Sequence, residues 1–463
     1  MGSSSTTELD DLALYLEDLL STQVSLSDGG GSFRAFGWTI NTMAKHPYDA
    51  DVLIIGGGPA GSTLGCLLAL GDHKAIIVER SASPREHVGE LLTPSINAVL
   101  HRIGMLPRVE SAGFRRRDGV AWTMPRAPIL KIPVADHPPP RALRRYGFSV
   151  ERDAFDALLL QHACELGVQV LERTAARRVI FQNGRAIGIE TLRPNGSVTR
   201  LTARFIVDAT GRRSLLGRQL RLMRPDPLLR QCALYAWFHD VEPSFDAGSD
   251  YAYLHLLRHR RMWGWQIPLR DNMTSIGLVA PCDHLKATKD APDLYFARDI
   301  DCNRIFARAM ASARRISPWR TVGDYSYSLQ RLYGSGWLLI GDASGFIDPI
   351  FSSGVDIAMH SSVFAYESML PLLLLGDWND VDEEFAMSKY ERRLRQGMAL
   401  WERAVKLFYA FPSRLRRLAQ KRDVIPAICR FLQGNPYALQ NELIIEQLFN
   451  WIEPHKHGVN LKS

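Results

Sequence analysis

The chain has few cysteines, no long apolar run and no dense basic tract, and each shortage removes a class of function. Its six cysteines, Cys66, Cys164, Cys232, Cys282, Cys302 and Cys429, are scattered over 463 residues without a Cys-x-x-Cys pair. That spacing predicts reduced, mostly buried thiols and gives no metal site. The longest unbroken apolar stretches, such as 372–375, fall far below the roughly 18 residues that cross a bilayer. The opening MGSSSTTELDD has no basic segment followed by an apolar one, so a soluble, cytoplasmic, unexported protein is expected. The net charge of +7 is spread without Lys/Arg clusters interleaved with aromatics, which argues against nucleic acid and leaves an acidic partner as the better match.

What is present suffices for two or three domains, since 46% of the residues are hydrophobic. Residues 51–55 form a short β-branched run that suits a buried strand, and Gly56, Gly58 and Gly61 follow at GxGxxG spacing before a helical stretch at 62–70. Gly56 permits the tight turn, Gly58 lets the backbone approach a pyrophosphate, and Gly61 lets the helix pack on the strand. A second strand at 74–78 ends in Glu79, the roughly 20 residues downstream at which an acidic group takes ribose hydroxyls.

The first 46 residues read as an extension. Leu9, Leu12, Leu16, Leu19 and Leu20 share one helical face, and 25–32 is a glycine-rich loop. That helix either docks on the body or serves as a lid or partner site. Beyond Glu79 and Arg80, the polar segment 80–94, which contains Glu90, is placed to run over the cofactor. In 113–122, GFRRRDGVAW, three consecutive arginines read as a solvated loop unless an anion lies near. The proline-rich 129–140 predicts irregular chain or an edge strand. A strand at 148–150 leads into a helix from Arg152. Strands at 168–171, 178–181, 186–190 and 204–207 follow, the last ending in Asp208-Ala209-Thr210-Gly211, a ligand edge.

Residues 233–280 alternate like a second, antiparallel sheet, giving a substrate domain over approximately 212–330. Trp263 and Trp265 stand two apart and project from one face of a strand. A strand at 337–340 runs into Asp342, and 352–354 open a helix that reaches Met369, a second anion-receptive turn. From 371 onward the chain is helical, with Arg414, Arg416, Arg417, Lys421 and Arg422 on a basic stretch. The predicted architecture is therefore α/β: a Rossmann-like nucleotide domain over 47–370, interleaved with a β-sheet substrate domain, and a helical C-terminal region.

Together, GGGPAG, DATG at 208–211 and GDASGFIDP at 341–349 resemble the flavoprotein monooxygenases of the para-hydroxybenzoate hydroxylase type, over 48–369. The flavin-dependent halogenases are closer still. WGWQIP at 263–268 matches their WxWxIP motif, and Phe346, Pro349, Ser352 and Gly354 match FxxPxxSxG. HVGELLTP at 87–94 and VERDAFD at 150–156 resemble the branch acting on phenols or carrier-protein-tethered pyrroles. Phe351 stands where the free-tryptophan branch carries glutamate, which argues against tryptophan.

The resemblance implies FAD, held by Gly56, Gly58, Pro59, Ala60 and Gly61, by Glu79, Arg80, Glu90 and Arg152, by Asp208, Gly211 and Asp342, and by Pro349, Gly354 and Val355. No NAD(P)H fingerprint is evident in the chain, so reduced FAD would come from a separate flavin reductase, unless the substrate itself reduces the flavin. Ser353 and Gly354 would hold chloride or bromide, Trp263 and Trp265 would shape the pocket, and hypohalous acid made with O2 would travel to a catalytic lysine. Here that lysine position falls on Arg117, and no other lysine lies between Lys74 and Lys131. The family's long aromatic-rich C-terminal region is not evident either, which predicts a different substrate entrance.

The first reading is accordingly a halogenase-like FAD enzyme of natural-product biosynthesis that hydroxylates or otherwise oxidises an aromatic or carrier-bound substrate. An active halogenase using Arg117 as a steering group, an oxidase or desaturase, and a non-catalytic flavin protein docked on an acyl or peptidyl carrier protein remain open.

Overall fold

The structure is a computed structural model that describes residues 33–35, 38–40, 48–138, 142–243, 250–259, 261–323, 326–434, 436–437 and 439–452. The leucine-rich helix and the glycine-rich loop expected near the N-terminus lie outside these residues. The chain divides into a small unit, residues 1–46 with 374–376, and a large one formed by the rest. In the small unit, Phe33–Ala35 pairs antiparallel with Trp38–Ile40.

The large unit is built on two eight-stranded sheets. In the first, Ala50–Ile55 lies between Ala75–Val78 and Val198–Asp208, parallel to both, and Gln169–Leu171 and Trp337–Leu339 extend the parallel part at either side. The β-branched runs of these strands are buried on both faces, as parallel sheets require. Val198–Asp208 is long enough to do two jobs. Its second half pairs with Ala50–Ile55, and its first half pairs antiparallel with Arg185–Leu192. Helix Pro59–Leu70 starts directly after the glycine turn with proline at its first position, where no N–H is needed.

The second sheet orders Gln231–His239, Met273–Pro281, Trp263–Pro268 and Tyr251–Leu256, and then Gly119–Met124 and Ala127–Ile132. It departs from the expected all-antiparallel sheet, because Tyr251–Leu256 and Gly119–Met124 run parallel. The arginine run also differs from the solvated loop of the first reading. Arg115–Arg117 is a strand pairing with Gly147–Ser149, and its alternation leaves Arg116 exposed and Arg117 buried.

The cysteines require a correction. Cys232 and Cys282 form a disulfide with Cα atoms 4.9 Å apart, because the strand register sets Cys232 against Ala280, two residues from Cys282. Cys66, Cys164, Cys302 and Cys429 are free, and Cys164 is exposed. Helix Ser353–Leu375 is long and apolar enough to cross a membrane, but 67% of the apolar window is buried in the protein, which makes it a core helix. Beyond it, Asp380–Ala410 begins with a capping box on Asn379 and Asp382, and Pro412–Leu418, Ile425–Leu432 and Leu439–Ile452 follow.

Candidate active site

Both sheets, the start of helix Ser353–Leu375 and Leu432 of helix Ile425–Leu432 line a cavity of about 410 Å³. At one end is the glycine turn. Gly56 has φ +112°, and a Cβ there would lie 2.4 Å from Ala209 O. A Cβ on Gly61 would lie 1.9 Å from Gly56 O, so Gly61 serves helix–strand packing and stands outside the cavity lining. A Cβ on Gly58 would meet only the end of Arg85 at 3.0 Å, leaving the turn open to close approach from the cavity. Pro59 and Ala60 line the same wall. Glu79 is buried and accepts hydrogen bonds from Gly57 N at 2.8 Å, Ser81 N at 2.9 Å and Arg85 Nη1 at 3.1 Å, with Arg80 beside it on the cavity wall.

Asp208 does not face the cavity, contrary to expectation. Its carboxylate is taken up by Thr210 N at 2.9 Å, Thr210 Oγ1 at 2.6 Å and Leu216 N at 2.7 Å, which makes it a turn-holder behind Gly211. Gly211 itself, with Arg212 and Arg213, lines the cavity. Asp342 lines it too, and burial pushes its carboxyl up to about 6 against the pull of Arg212 and Arg152.

The segment 87–92 crosses the middle of the cavity. Arg152 pins it by donating from Nη1 to Val88 O and Gly89 O, while its Nε and Nη2 form a bidentate pair with Asp156 at 2.9 and 3.0 Å. Glu90 is buried with Oε1 unpartnered, and burial raises its carboxyl although Ser275 and Gly89 N hydrogen-bond to it. His87 is pushed down to about 4, first by burial and then by Arg152, Arg85 and Arg212. His87 opens the HVGELLTP motif but was not singled out as a site residue from sequence, and neither were Arg85 and Arg212, which flank that motif and DATG.

At the far end, Asp348 caps the Pro349–Phe351 turn by accepting Ile350 N at 3.0 Å, and Ser352 follows at φ +56° before helix Ser353–Leu375 begins. Pro349, Ser352, Gly354 and Val355 line the cavity. The left-handed residue turns the chain, so Ser352 rather than Ser353 lines it. Ser353 is 4% exposed and is absent from the lining.

Trp263 and Trp265 both line the wall, ring centroids 6.0 Å apart. Trp265 Nε1 donates to Ser275 Oγ, and Trp263 Nε1 to Tyr409 Oη, each at 3.0 Å. Arg117 also lines the cavity, 4% exposed. Its Nη2 donates to Leu92 O at 3.1 Å, its Nε has no partner, and burial lowers it to about 10. The C-terminal region supplies aromatics that were not anticipated. Phe351 is surrounded by Trp401, Phe408 and Phe431 at centroid distances of 6.3, 6.0 and 5.1 Å, and Leu432 reaches the cavity.

The glycine cradle, the open Asp342 carboxyl and the cationic side chains at 80, 85 and 212 fit a flavin dinucleotide. Comparison with known proteins agrees. The family profile described as tryptophan halogenase matches residues 130–417. The 1H-pyrrole-2-carbonyl peptidyl-carrier protein chlorinase of Pseudomonas fluorescens is 31% identical over 425 residues, covering 88% of this chain and 93% of that protein. The tryptophan 2-halogenase of Chondromyces crocatus is 31% identical over 383 residues, covering 80% and 69%. A solved flavin-dependent brominase superposes with a TM-score of 0.78 at 25% identity, covering 87% of this chain and 98% of that one.

Proposed function

Since the chain belongs to the tryptophan halogenase family of FAD-dependent enzymes, we propose that it halogenates an electron-rich aromatic, of the pyrrole or phenol class, presented on a carrier protein. In this reading Arg117 takes the place that the family resemblance assigns to a catalytic lysine. Two things favour halogenation over hydroxylation: the relatives' activities as named, and the presence of both family motifs on one cavity. The observation that carries the reading is the placing of Ser352, Gly354, Trp263, Trp265 and Arg117 around a single cavity.

When bound, FAD reduced by a separate flavin reductase supplies the means to oxidise chloride or bromide with O2. The protein's part is to hold and steer. Backbone groups at Gly56 and Gly58 would receive the pyrophosphate, Asp342 would take a ribityl hydroxyl, and the turn at Ser352–Gly354 would take the halide. Trp263 and Trp265 keep bulk water off the path. Arg117 stays protonated at neutral pH, because about 10 is still far above it. It is therefore a donor and not a nucleophile, and its unpartnered Nε can give a hydrogen bond to the oxygen of hypohalous acid. That contact holds the oxidant and withdraws charge from its halogen as the aromatic carbon attacks it; the oxygen–halogen bond breaks, and the hydroxide released takes up the proton lost from that carbon and leaves as water.

The aromatic side chains on the cavity wall, Trp122, Trp263, Trp265 and Phe351, suit a planar ring. Carrier presentation is supported by the chlorinase relative and by the exposed Arg417, Lys421 and Arg422, a basic surface for an acidic partner. The similarity to a tryptophan 2-halogenase favours a second reading, free tryptophan as substrate. The test is incubation with a flavin reductase, NADH, O2 and bromide, offering pyrrolyl-carrier protein, phenols and tryptophan. Bromine isotope doublets on the carrier-bound pyrrole or a phenol are expected. Brominated tryptophan alone would move the substrate to the second reading, and a gain of oxygen indifferent to bromide would overturn halogenation.

A further inference from the structure

Trp263 and the Pro349–Phe351 turn reach the cavity from different elements, and one residue outside both joins them. Tyr409, near the end of the Asp380–Ala410 helix, accepts from Trp263 Nε1 at 3.0 Å and donates to Asp348 Oδ2 at 3.1 Å. The other Asp348 oxygen accepts Ile350 N at 3.0 Å. One carboxyl, 1% exposed, thus holds the turn from within and, through Tyr409, ties it to the tryptophan wall.

We propose that Tyr409 and Asp348 are a positioning pair that locks the Pro349–Phe351 turn to Trp263 and sets the halide affinity of the Ser352–Gly354 segment that follows. The proposal rests on the halide site of the function proposed above. Its physical basis is charge. An ionised Asp348 at the root of the turn opposes an incoming anion, whereas a neutral one leaves the turn's N–H groups unopposed.

Among the described residues, the groups facing Asp348 are Tyr409 from the long helix, Arg261 from the segment before the Trp263–Pro268 strand, and the Ile350 N–H of its own turn. Trp263 and Gln231, both neutral, face the Tyr409 hydroxyl, and the Arg261 guanidinium stands over its ring at 5.9 Å. Burial raises the Asp348 carboxyl to about 7, while the Ile350 N–H, Tyr409 and Arg261 favour its charged form. Halide binding therefore tightens as pH falls through about 7. Loss of the Tyr409 hydroxyl removes a donor that favours the carboxylate, so Asp348 ionises at higher pH and tight binding extends upward.

The test titrates FAD-loaded protein with bromide across a pH series and follows the visible difference spectrum of the oxidised flavin. In the parent protein the bromide Kd is expected to rise about tenfold between roughly pH 6 and 8.5. Tyr409→Phe keeps the ring beside Phe408 at 5.4 Å and should displace that rise upward by about half a pH unit or more. Asp348→Asn should flatten it. If Asp348→Asn fails to retain FAD, the displacement in Tyr409→Phe decides. An unmoved profile in Tyr409→Phe, or no bromide-dependent spectral change at any pH, overturns the pair. Binding is read without turnover, so the two proposals separate. A displaced profile with no brominated product defeats the halogenase reading and leaves the pair standing, and bromination with an unmoved profile does the reverse.

Discussion

Arg117→Met tests whether the guanidinium is kept for chemistry at a cost to the fold. Among the described residues it pairs with no carboxylate, it has one hydrogen bond, to Leu92 O, and burial takes it well below an arginine's ordinary value, to about 10. That fall corresponds to about 3 kcal/mol against the charged form, of which the Leu92 bond, lost in the variant, returns about 1 kcal/mol. Methionine fills similar apolar volume without the charge, so a net gain of about 1–2 kcal/mol is expected, seen as a melting temperature about 2 °C higher. Halogenation, read as brominated product per minute, should fall by about a hundredfold or more, as for loss of one preorganised donor. Arg117→Lys separates steering from nucleophilic chemistry. The same fall from a lysine's ordinary ~10.4 puts the amine near ~8, giving a neutral fraction of about a tenth at pH 7 and about half at pH 8. A haloamine route would then make Arg117→Lys activity climb between those pH values, while the parent stays flat through that range as far as Arg117 is concerned. A less stable Arg117→Met protein that still brominates would refute this account and make Arg117 a structural residue.

Three other perturbations follow from the geometry. Gly61→Ala would set a methyl 1.9 Å from Gly56 O and should cut the flavin retained through gel filtration to about a tenth or less, since the helix can no longer approach the strand; unchanged flavin content would reject the cradle. Reversing the exposed Arg417 and Lys421 to Glu should raise KM for carrier-bound substrate about tenfold and leave a free aromatic unaffected; equal effects on both would reject the docking surface. Denatured, unreduced protein should show the four thiols left by the Cys232–Cys282 bond, and a count of six would remove the disulfide.

What could be read in advance, and what could not, follows from how far each feature depends on long-range register. The cofactor end was legible because the backbone alone makes it: a turn at φ +112° and a packing distance that excludes a methyl demand glycine at fixed spacing. The cysteine pair was not. A separation of 50 residues carries no pairing signal until Gln231–His239 settles against Met273–Pro281 and sets which residues face each other. Arg117 lies between these cases. Three arginines read as a wet loop, and only the pairing of Arg115–Arg117 with Gly147–Ser149 turns the run into a strand whose period of two sends one arginine inward. The serines show the same limit at its smallest scale. Ser352 and Ser353 are chemically identical, and which one meets the cavity is decided by the left-handed turn at Ser352, itself held by Asp348 and, through Tyr409, by a helix some sixty residues away. A motif therefore tells which side chains are available at a turn. The cap that holds the turn decides which of them meets the cavity, so the capping pair is where the halide affinity proposed for this turn should be most open to tuning.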